Sequence, residues 1–300
     1  MALNLNGTGV ALATPFRKDK SIDFKSMGKL VEHVISNGVD YLVVLGTTGE
    51  ASTLSFEEKK AVVSFVVELT NKRVPVIAGL GGNNTQDILQ RLNNFEFDGV
   101  DAILSVVPYY NKPTQKGLFD HFQMISVESP VPVILYNVPA RTSCNLAAET
   151  TVKLAQECKN IVAVKEASGN FDQVMHILRD KPKDFTVLSG DDAIALPLIS
   201  LGAKGVISVT ANAFPKEYSS MVRFALNNDF CKSRTLQMHL LDFFTALFVE
   251  GSPAGLKTAL SLMDIAGSTV RPPLSQGSPQ LQKKMVQIID DIRNGQMFSN

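Results

Sequence analysis

The chain has 300 residues, 45% of them hydrophobic, enough to bury a large core and to form more than one domain. Lys plus Arg and Asp plus Glu each number 29, so the formal net charge is zero, and no basic footprint for nucleic acid or an anionic membrane is present. Three widely spaced cysteines (Cys144, Cys158, Cys231), none in a CxxC, speak against a disulfide framework or a structural zinc site and for a reducing compartment. The start "MALNLNGTGV" lacks the basic and apolar stretches of a signal peptide, and no apolar run approaches the roughly 20 residues of a membrane helix, so a cytoplasmic location is expected.

Short apolar runs alternate with longer amphipathic stretches. The first run is "GVALATP" near Val10. A helix pattern over 24–36 follows, with Met27, Leu30, Val31 and Val34 on one face and Asn37-Gly38 as a stop signal. The second run, "DYLVVLG" near Val43, leads into "GTTGE". Ser55, with Glu58 three positions on, has the spacing of a capping box for a helix reaching Leu69. Further runs centre on Ile77, Leu104, Ile134, Val164, Val187 and Ile207, and helix patterns follow at 88–95, 118–125, 147–154, 174–178, 193–201 and 217–226. The runs are continuous rather than alternating, which suits parallel strands covered on both faces. Eight βα units at a spacing of about 30 residues predict an α/β fold, a (β/α)8 TIM barrel. A doubly wound sheet is the alternative, because alternation alone does not prove closure; the strand count favours the barrel. No GxGxxG follows the first run, and "GLGGNN" at Gly79 has neither dinucleotide spacing nor a P-loop lysine.

From Phe230 the β-branched runs stop. "LQMHLLDFFTALF" reads as helix, and Ser252-Pro253 as an N-cap with proline at the first helical position. Gly267 marks the end of that helix, "RPPL" a rigid linker, and Ser278-Pro279 the start of a last helix towards Ile292. The expectation is a catalytic barrel over 1–227 and a C-terminal all-helical domain over 228–300, whose apolar density suggests contact with another subunit.

Barrels of this kind place their chemistry at the C-terminal ends of the strands. The second strand ends in Thr47 and Thr48, whose hydroxyls and neighbouring N–H groups suit a carboxylate, or else form a polar turn. The fourth ends in Tyr109 and Tyr110; adjacent strand residues point opposite ways, so one lines the site and the other packs or reaches a neighbour, unless both are ordinary surface tyrosines. The fifth ends in Tyr136, whose phenol can pass protons, followed by Arg141, a carboxylate clamp or a solvated loop charge. The sixth ends on Lys165. A lysine reaching water is the commoner case, but an amine kept dry is held more as free base and attacks ketones to form a Schiff base. Gly190 permits close approach of a ligand, and Asp191 or Asp192 reads as a helix cap. His33, His121, His176 and His239 form no HxxxH pair, and no metal site is expected. No GxSxG elbow is present. Hydroxyls, phenols, an amine and a guanidinium suit carbonyl chemistry on a small carboxylate without an external cofactor.

"GTTGE", "PYYNKP", "YNVPARTS", "VAVKEASG" and "GVISVTAN", in this order, resemble the pyruvate-dependent class I aldolases, and among them the dihydrodipicolinate synthase family. The resemblance spans the whole chain, including the helical tail and "RPPL". It implies that Lys165 is the Schiff-base lysine and Tyr136 the proton-passing tyrosine. It further implies that Thr47 links Tyr136 to Tyr110, the latter donated by a neighbouring subunit. Thr48 would contact the pyruvate carboxylate, with Gly190 and Ile207 lining that pocket, and Arg141 would hold the carboxylate of L-aspartate 4-semialdehyde at the entrance. The implied activity is condensation of those two substrates, the first committed step of lysine and diaminopimelate biosynthesis, in a cofactor-free homotetramer built as a dimer of dimers. N-acetylneuraminate lyase, the sibling reading, resembles "GSTGE" and lacks an arginine matching Arg141; a keto-acid sensor would have no need of Thr47, Tyr110 and Tyr136 together. Members inhibited by lysine carry a serine and histidines where this chain has Ala51, Phe56 and Lys59; Asn83 is retained and Asp87 replaces a glutamate. Weak or absent lysine feedback is implied.

Overall fold

Each continuous Val- and Ile-rich run becomes a strand. In the computed structural model, which describes residues 3–295, these are β1 (Gly7–Ala11), β2 (Tyr41–Val44), β3 (Val76–Gly79), β4 (Ala102–Val106), β5 (Val133–Asn137), β6 (Ile161–Glu166), β7 (Thr186–Ser189) and β8 (Gly205–Ser208). All pair in parallel and in chain order, and β8 returns to β1, so the barrel is closed rather than an open doubly wound sheet. Successive strand residues alternate between two apolar compartments. Ile134, Tyr136, Ala163, Leu188 and Ile207 gather inside the barrel, whereas Val133, Leu135, Val164, Val187 and Val206 face the surrounding helices. The floor of the barrel is filled by Tyr41, fully buried; a Cβ at Gly9 would fall 2.0 Å from its ring, so only glycine leaves that ring room.

The helices follow the sequence signals closely. Helix Phe24–Ser36 buries the four apolar residues named above and stops at Asn37. Helix Phe56–Thr70 opens on the expected capping box, Ser55 Oγ accepting from Glu58 N and Glu58 accepting from Ser55 N, a device worth about 1 kcal/mol. Among the described residues, four helices follow the last βα unit: Phe230–His239, Leu241–Ala246, Ala254–Leu262 and Pro279–Arg293. Ser278 caps the last as expected, accepting from Leu281 N. The helix after Ser252-Pro253 differs in two ways. It starts one residue later, with Pro253 itself as the cap position and no side-chain cap. It also stops at Leu262 rather than near Gly267, because Asp264 turns left-handed (φ 55°) and the N–H groups of Ile265 and Ala266 both return to Leu260 O.

His121 lies buried against the edge of Phe122 (ring centroids 5.0 Å apart), with Nδ1 2.8 Å from Thr85 Oγ1. Burial pushes its pKa from 6.5 down to about 4. The neutral ring therefore contributes stability that is complete above pH 6.5 and is lost as pH falls towards 4, since the unfolded chain binds the proton first. The loss amounts to roughly 3 kcal/mol. Urea unfolding of wild type and His121→Asn at pH 7 and 4.5 checks this: the variant should lose less stability between the two pH values than wild type does, and an equal loss would contradict it.

Candidate active site

Register brings the first two candidates together. Tyr136 and Lys165 are direct partners across β5 and β6, so both side chains turn to the interior face. Lys165 Nζ sits 4.3 Å from the centre of the Tyr136 ring, and the two residues are 5% and 6% exposed. β6 does not end on Lys165 as expected but runs on to Glu166. Lys165 is thus an inward residue of a continuing strand, not a strand end reaching water. Leu188 is its partner on β7, and Ile207 joins Leu188 and Tyr136 in the interior cluster. Gly190 follows β7. A Cβ there would lie 3.2 Å from Lys165 Cε and 2.6 Å from Ala167 Cβ, so glycine at 190 is what lets the lysine stem pass.

A cavity of ≈ 370 Å³ opens at the C-terminal mouth of the barrel and reaches Tyr136, while Lys165, Thr48, Gly190 and Ile207 lie behind its lining. Thr47, Tyr136 and Arg141 line it, together with Leu104, Val106 and Tyr109. Thr47 and Thr48 belong to a 3₁₀ turn, Thr47–Gly49, which puts Thr47 at the surface of the mouth and buries Thr48. The turn is anchored at Gly49 O, which accepts from Thr14 Oγ1 at 2.7 Å. Arg141 projects from a four-residue helix, Pro139–Thr142, that the sequence did not announce; Pro139 sets its first position. Tyr110 is not brought into this cavity. It is 89% exposed with φ 75°, beyond the end of β4, and Tyr109 takes the lining position instead. The alternation expected of adjacent strand residues therefore does not apply to this pair, because neither lies in the strand.

The far wall of the cavity carries residues with no expected part in catalysis: Ala51, Ser52, Phe56, Lys59, Arg91 and Phe95. Burial lowers the pKa of Lys59, with Arg91 adding to the effect, and Arg91 is paired with Asp87 at 2.6 Å. This wall is therefore cationic and aromatic.

Several supporting residues were missed in the sequence. Glu166 turns outward, opposite in parity to Lys165, and is 1% exposed. Its carboxylate accepts from Asn137 Nδ2 (3.0 Å), Gln173 Nε2 (3.1 Å) and Ser168 N (2.7 Å). Asn137 Oδ1 in turn accepts from Leu146 N at 2.9 Å. This network of neutral donors ties the ends of β5 and β6, and hence Tyr136 and Lys165, to the layer behind them. Asp192 is a second correction. It caps no helix: its Oδ2 accepts from Val209 N, Thr210 N and Thr210 Oγ1, joining the ends of β7 and β8, and burial raises its pKa. Asp191 accepts locally from Ala193 N. Among the described residues, no cluster of three or more His, Cys, Asp or Glu could hold a metal ion, and no helix is long and apolar enough to cross a membrane.

Comparison with known proteins gives a consistent picture. The model of the "Dihydrodipicolinate synthetase family" matches residues 4–292. The chain is 51% identical over 272 residues to a 4-hydroxy-tetrahydrodipicolinate synthase of Parabacteroides distasonis, covering 91% of this chain and 92% of that one. It superposes on the crystal structure of dihydrodipicolinate synthase from Aquifex aeolicus with a TM-score of 0.93 at 41% identity, over 99% of this chain and 100% of that one. The chloride-inhibited dihydrodipicolinate synthase from Acinetobacter baumannii, complexed with pyruvate, superposes with a TM-score of 0.94 at 40% identity, over 97% and 99% of the two chains.

Proposed function

The chain belongs to the dihydrodipicolinate synthetase family, and from that premise we propose that Lys165 is the nucleophile of its reaction, with Tyr136, Thr47 and Tyr110 moving the protons. The reaction is the lyase-class condensation of pyruvate with L-aspartate 4-semialdehyde to 4-hydroxy-tetrahydrodipicolinate, a step of lysine biosynthesis. The observation that carries the assignment is the buried Lys165 Nζ, 4.3 Å from the centre of the Tyr136 ring, with Tyr136 itself lining the cavity.

The Lys165 amine adds to the ketone carbon of pyruvate, its two protons pass through Tyr136 to the ketone oxygen, and that oxygen leaves as water. The resulting imine draws electrons from the neighbouring methyl group, whose proton passes to the imine nitrogen and leaves an enamine. The enamine carbon attacks the aldehyde of the second substrate, whose oxygen takes up a proton. The amine of that substrate then adds to the imine carbon, closes the ring and expels the Lys165 amine. Thr48, Gly190 and Ile207 hold the pyruvate end. Arg141, at the exposed rim, holds the carboxylate of the semialdehyde. Tyr110 faces away from its own cavity, so a neighbouring subunit supplies it. The working unit is then at least a dimer, and a homotetramer is the proposed assembly. The barrel over 1–227 carries the chemistry, the helical domain over 228–300 braces it, and the location is cytoplasmic.

The test is borohydride reduction in the presence of pyruvate, with mass mapping, beside a coupled condensation assay. The reduced adduct should fall on Lys165. Cleavage of N-acetylneuraminate without condensation would overturn the assignment.

Feedback by lysine is expected to be weak. Phe56 offers no hydrogen bond, and the Lys59 ammonium in the far wall repels a cationic amino acid. Half-inhibition at sub-millimolar L-lysine would refute this.

A further inference from the structure

The helical extension reaches into the active-site turn through one buried charge. Glu50 directly follows Thr47–Gly49, is 2% exposed, and holds a left-handed backbone (φ 53°) that a non-glycine residue keeps only when its surroundings impose it. Its N–H donates to Thr47 O at 3.1 Å, so the two residues move together. One carboxylate oxygen is paired with Lys257 Nζ, and the other accepts from Arg271 N at 2.9 Å. Lys257 stands on helix Ala254–Leu262, and Arg271 opens the "RPPL" linker. Both lie outside the barrel repeat.

The two cations are themselves fixed. Lys257 Nζ donates to Thr269 O at 2.9 Å and lies 4.1 Å from the centre of the Phe16 ring. The Arg271 guanidinium packs on the same ring at 4.5 Å, grips Glu58 with two bonds of 2.6 and 2.8 Å, and donates to Thr53 O at 2.9 Å. Glu58 belongs to the capping box described above, so the fork also holds the start of helix Phe56–Thr70. The cluster contains two carboxylates and two cations. Burial pushes the Lys257 pKa down to about 8, and Glu50 opposes the fall, which marks the pair as dry. A dry ion pair is a poor source of stability, since well-packed apolar side chains do as well. What it provides is a fixed geometry.

We propose that Glu50, Lys257 and Arg271 are positioning residues that set the Thr47–Thr48 turn for pyruvate, making the helical extension a working part of the catalytic site. The proposal rests on the roles given to Thr47 and Thr48 above. Displacing a substrate-holding group by about 1 Å lowers turnover by about 100-fold, so breaking the tether should be read in kinetics before it is read in melting.

The test uses the full-length protein and steady-state kinetics in pyruvate, well below the melting temperature. Lys257→Met and Glu50→Gln should lower kcat/KM for pyruvate by about 10- to 100-fold, while borohydride still traps an adduct on Lys165 at saturating pyruvate. Lys257→Arg, which keeps the charge, should recover most of the loss. Met285→Ala, a core truncation in helix Pro279–Arg293 away from the tether, should lower the melting temperature with kcat/KM unchanged. If Lys257→Met does not accumulate as folded protein, Arg271→Lys carries the same test, because it breaks the fork to Glu58 while keeping the backbone bond to Glu50; a fall of about threefold or more is expected. Kinetics within twofold of wild type in the folded tether variants, or a loss no greater than in Met285→Ala, would overturn the proposal. Thr48→Val separates the two levels. If it too leaves kcat/KM unchanged, the role of the turn is wrong; if it alone is impaired, only the tether is.

Discussion

Lys165→Met should abolish condensation, with kcat at least about 1,000-fold below wild type and no borohydride-stable adduct. Methionine keeps the length and apolar stem of the lysine and removes only the amine. The site is interior, with Leu188 as strand partner and a residue exposure of 5%, so the fold should tolerate the change. Losing a buried amine without adding a cavity should leave the melting temperature equal to or above that of wild type. Lys165→Arg is the informative companion. It preserves positive charge beside the Tyr136 ring, yet guanidinium remains protonated and forms no imine under these conditions. If electrostatic attraction of pyruvate were the whole role, the arginine variant would keep much of the activity. Nucleophilic catalysis requires that both variants fail alike. Turnover within tenfold of wild type in the methionine variant would remove the Schiff-base mechanism.

Tyr136→Phe should be the second largest loss, about 100- to 1,000-fold in kcat, in the range of a positioned proton donor and acceptor. The substitution leaves the ring, and hence its 4.3 Å contact with Lys165, in place. The backbone is also unaffected, since Tyr136 is hydrogen-bonded into the ladder between β4 and β6. Pyruvate KM should change little, because the phenol hydroxyl acts on protons in flight rather than on the bound acid. The adduct on Lys165 should still form, more slowly, and single-turnover trapping with borohydride separates that slow step from later ones. A variant with kcat within threefold of wild type would contradict the relay.

Much of this site was legible in the sequence because its parts sit where the βα repeat places them. Eight β-branched runs fixed the strands, and their ends pointed to Thr47, Tyr136, Lys165 and Gly190. What was not legible depended on backbone geometry or on distant partners. Tyr110 lies four residues beyond the end of β4 and takes a positive φ, a conformation that tyrosine does not advertise. Glu166 escaped notice because its partners are the neutral amides of Asn137 and Gln173, which no charge pattern marks, and because the adjacent cation, Lys165, points to the opposite face of the strand. Glu50 finds its backbone partner 221 positions away, at Arg271, so no local pattern could join them. The helix stop near Leu262 was hidden for the first reason: Asp264, not the glycine at 267, takes the left-handed turn.

The neighbours Lys165 and Glu166 face opposite compartments, and this limits how the protein can evolve. Inserting or deleting one residue within β6 would exchange them, turning a carboxylate into the barrel interior and driving an ammonium into a network built from donors. Substitutions at the mouth can retune the substrate one side chain at a time, and connections at the opposite end of the barrel, such as 181–185 ahead of β7, can change length. The strands cannot change length without reversing which side chains face inward. Length variation among descendants of this chain should therefore be confined to the connections, while the eight strands drift only in composition.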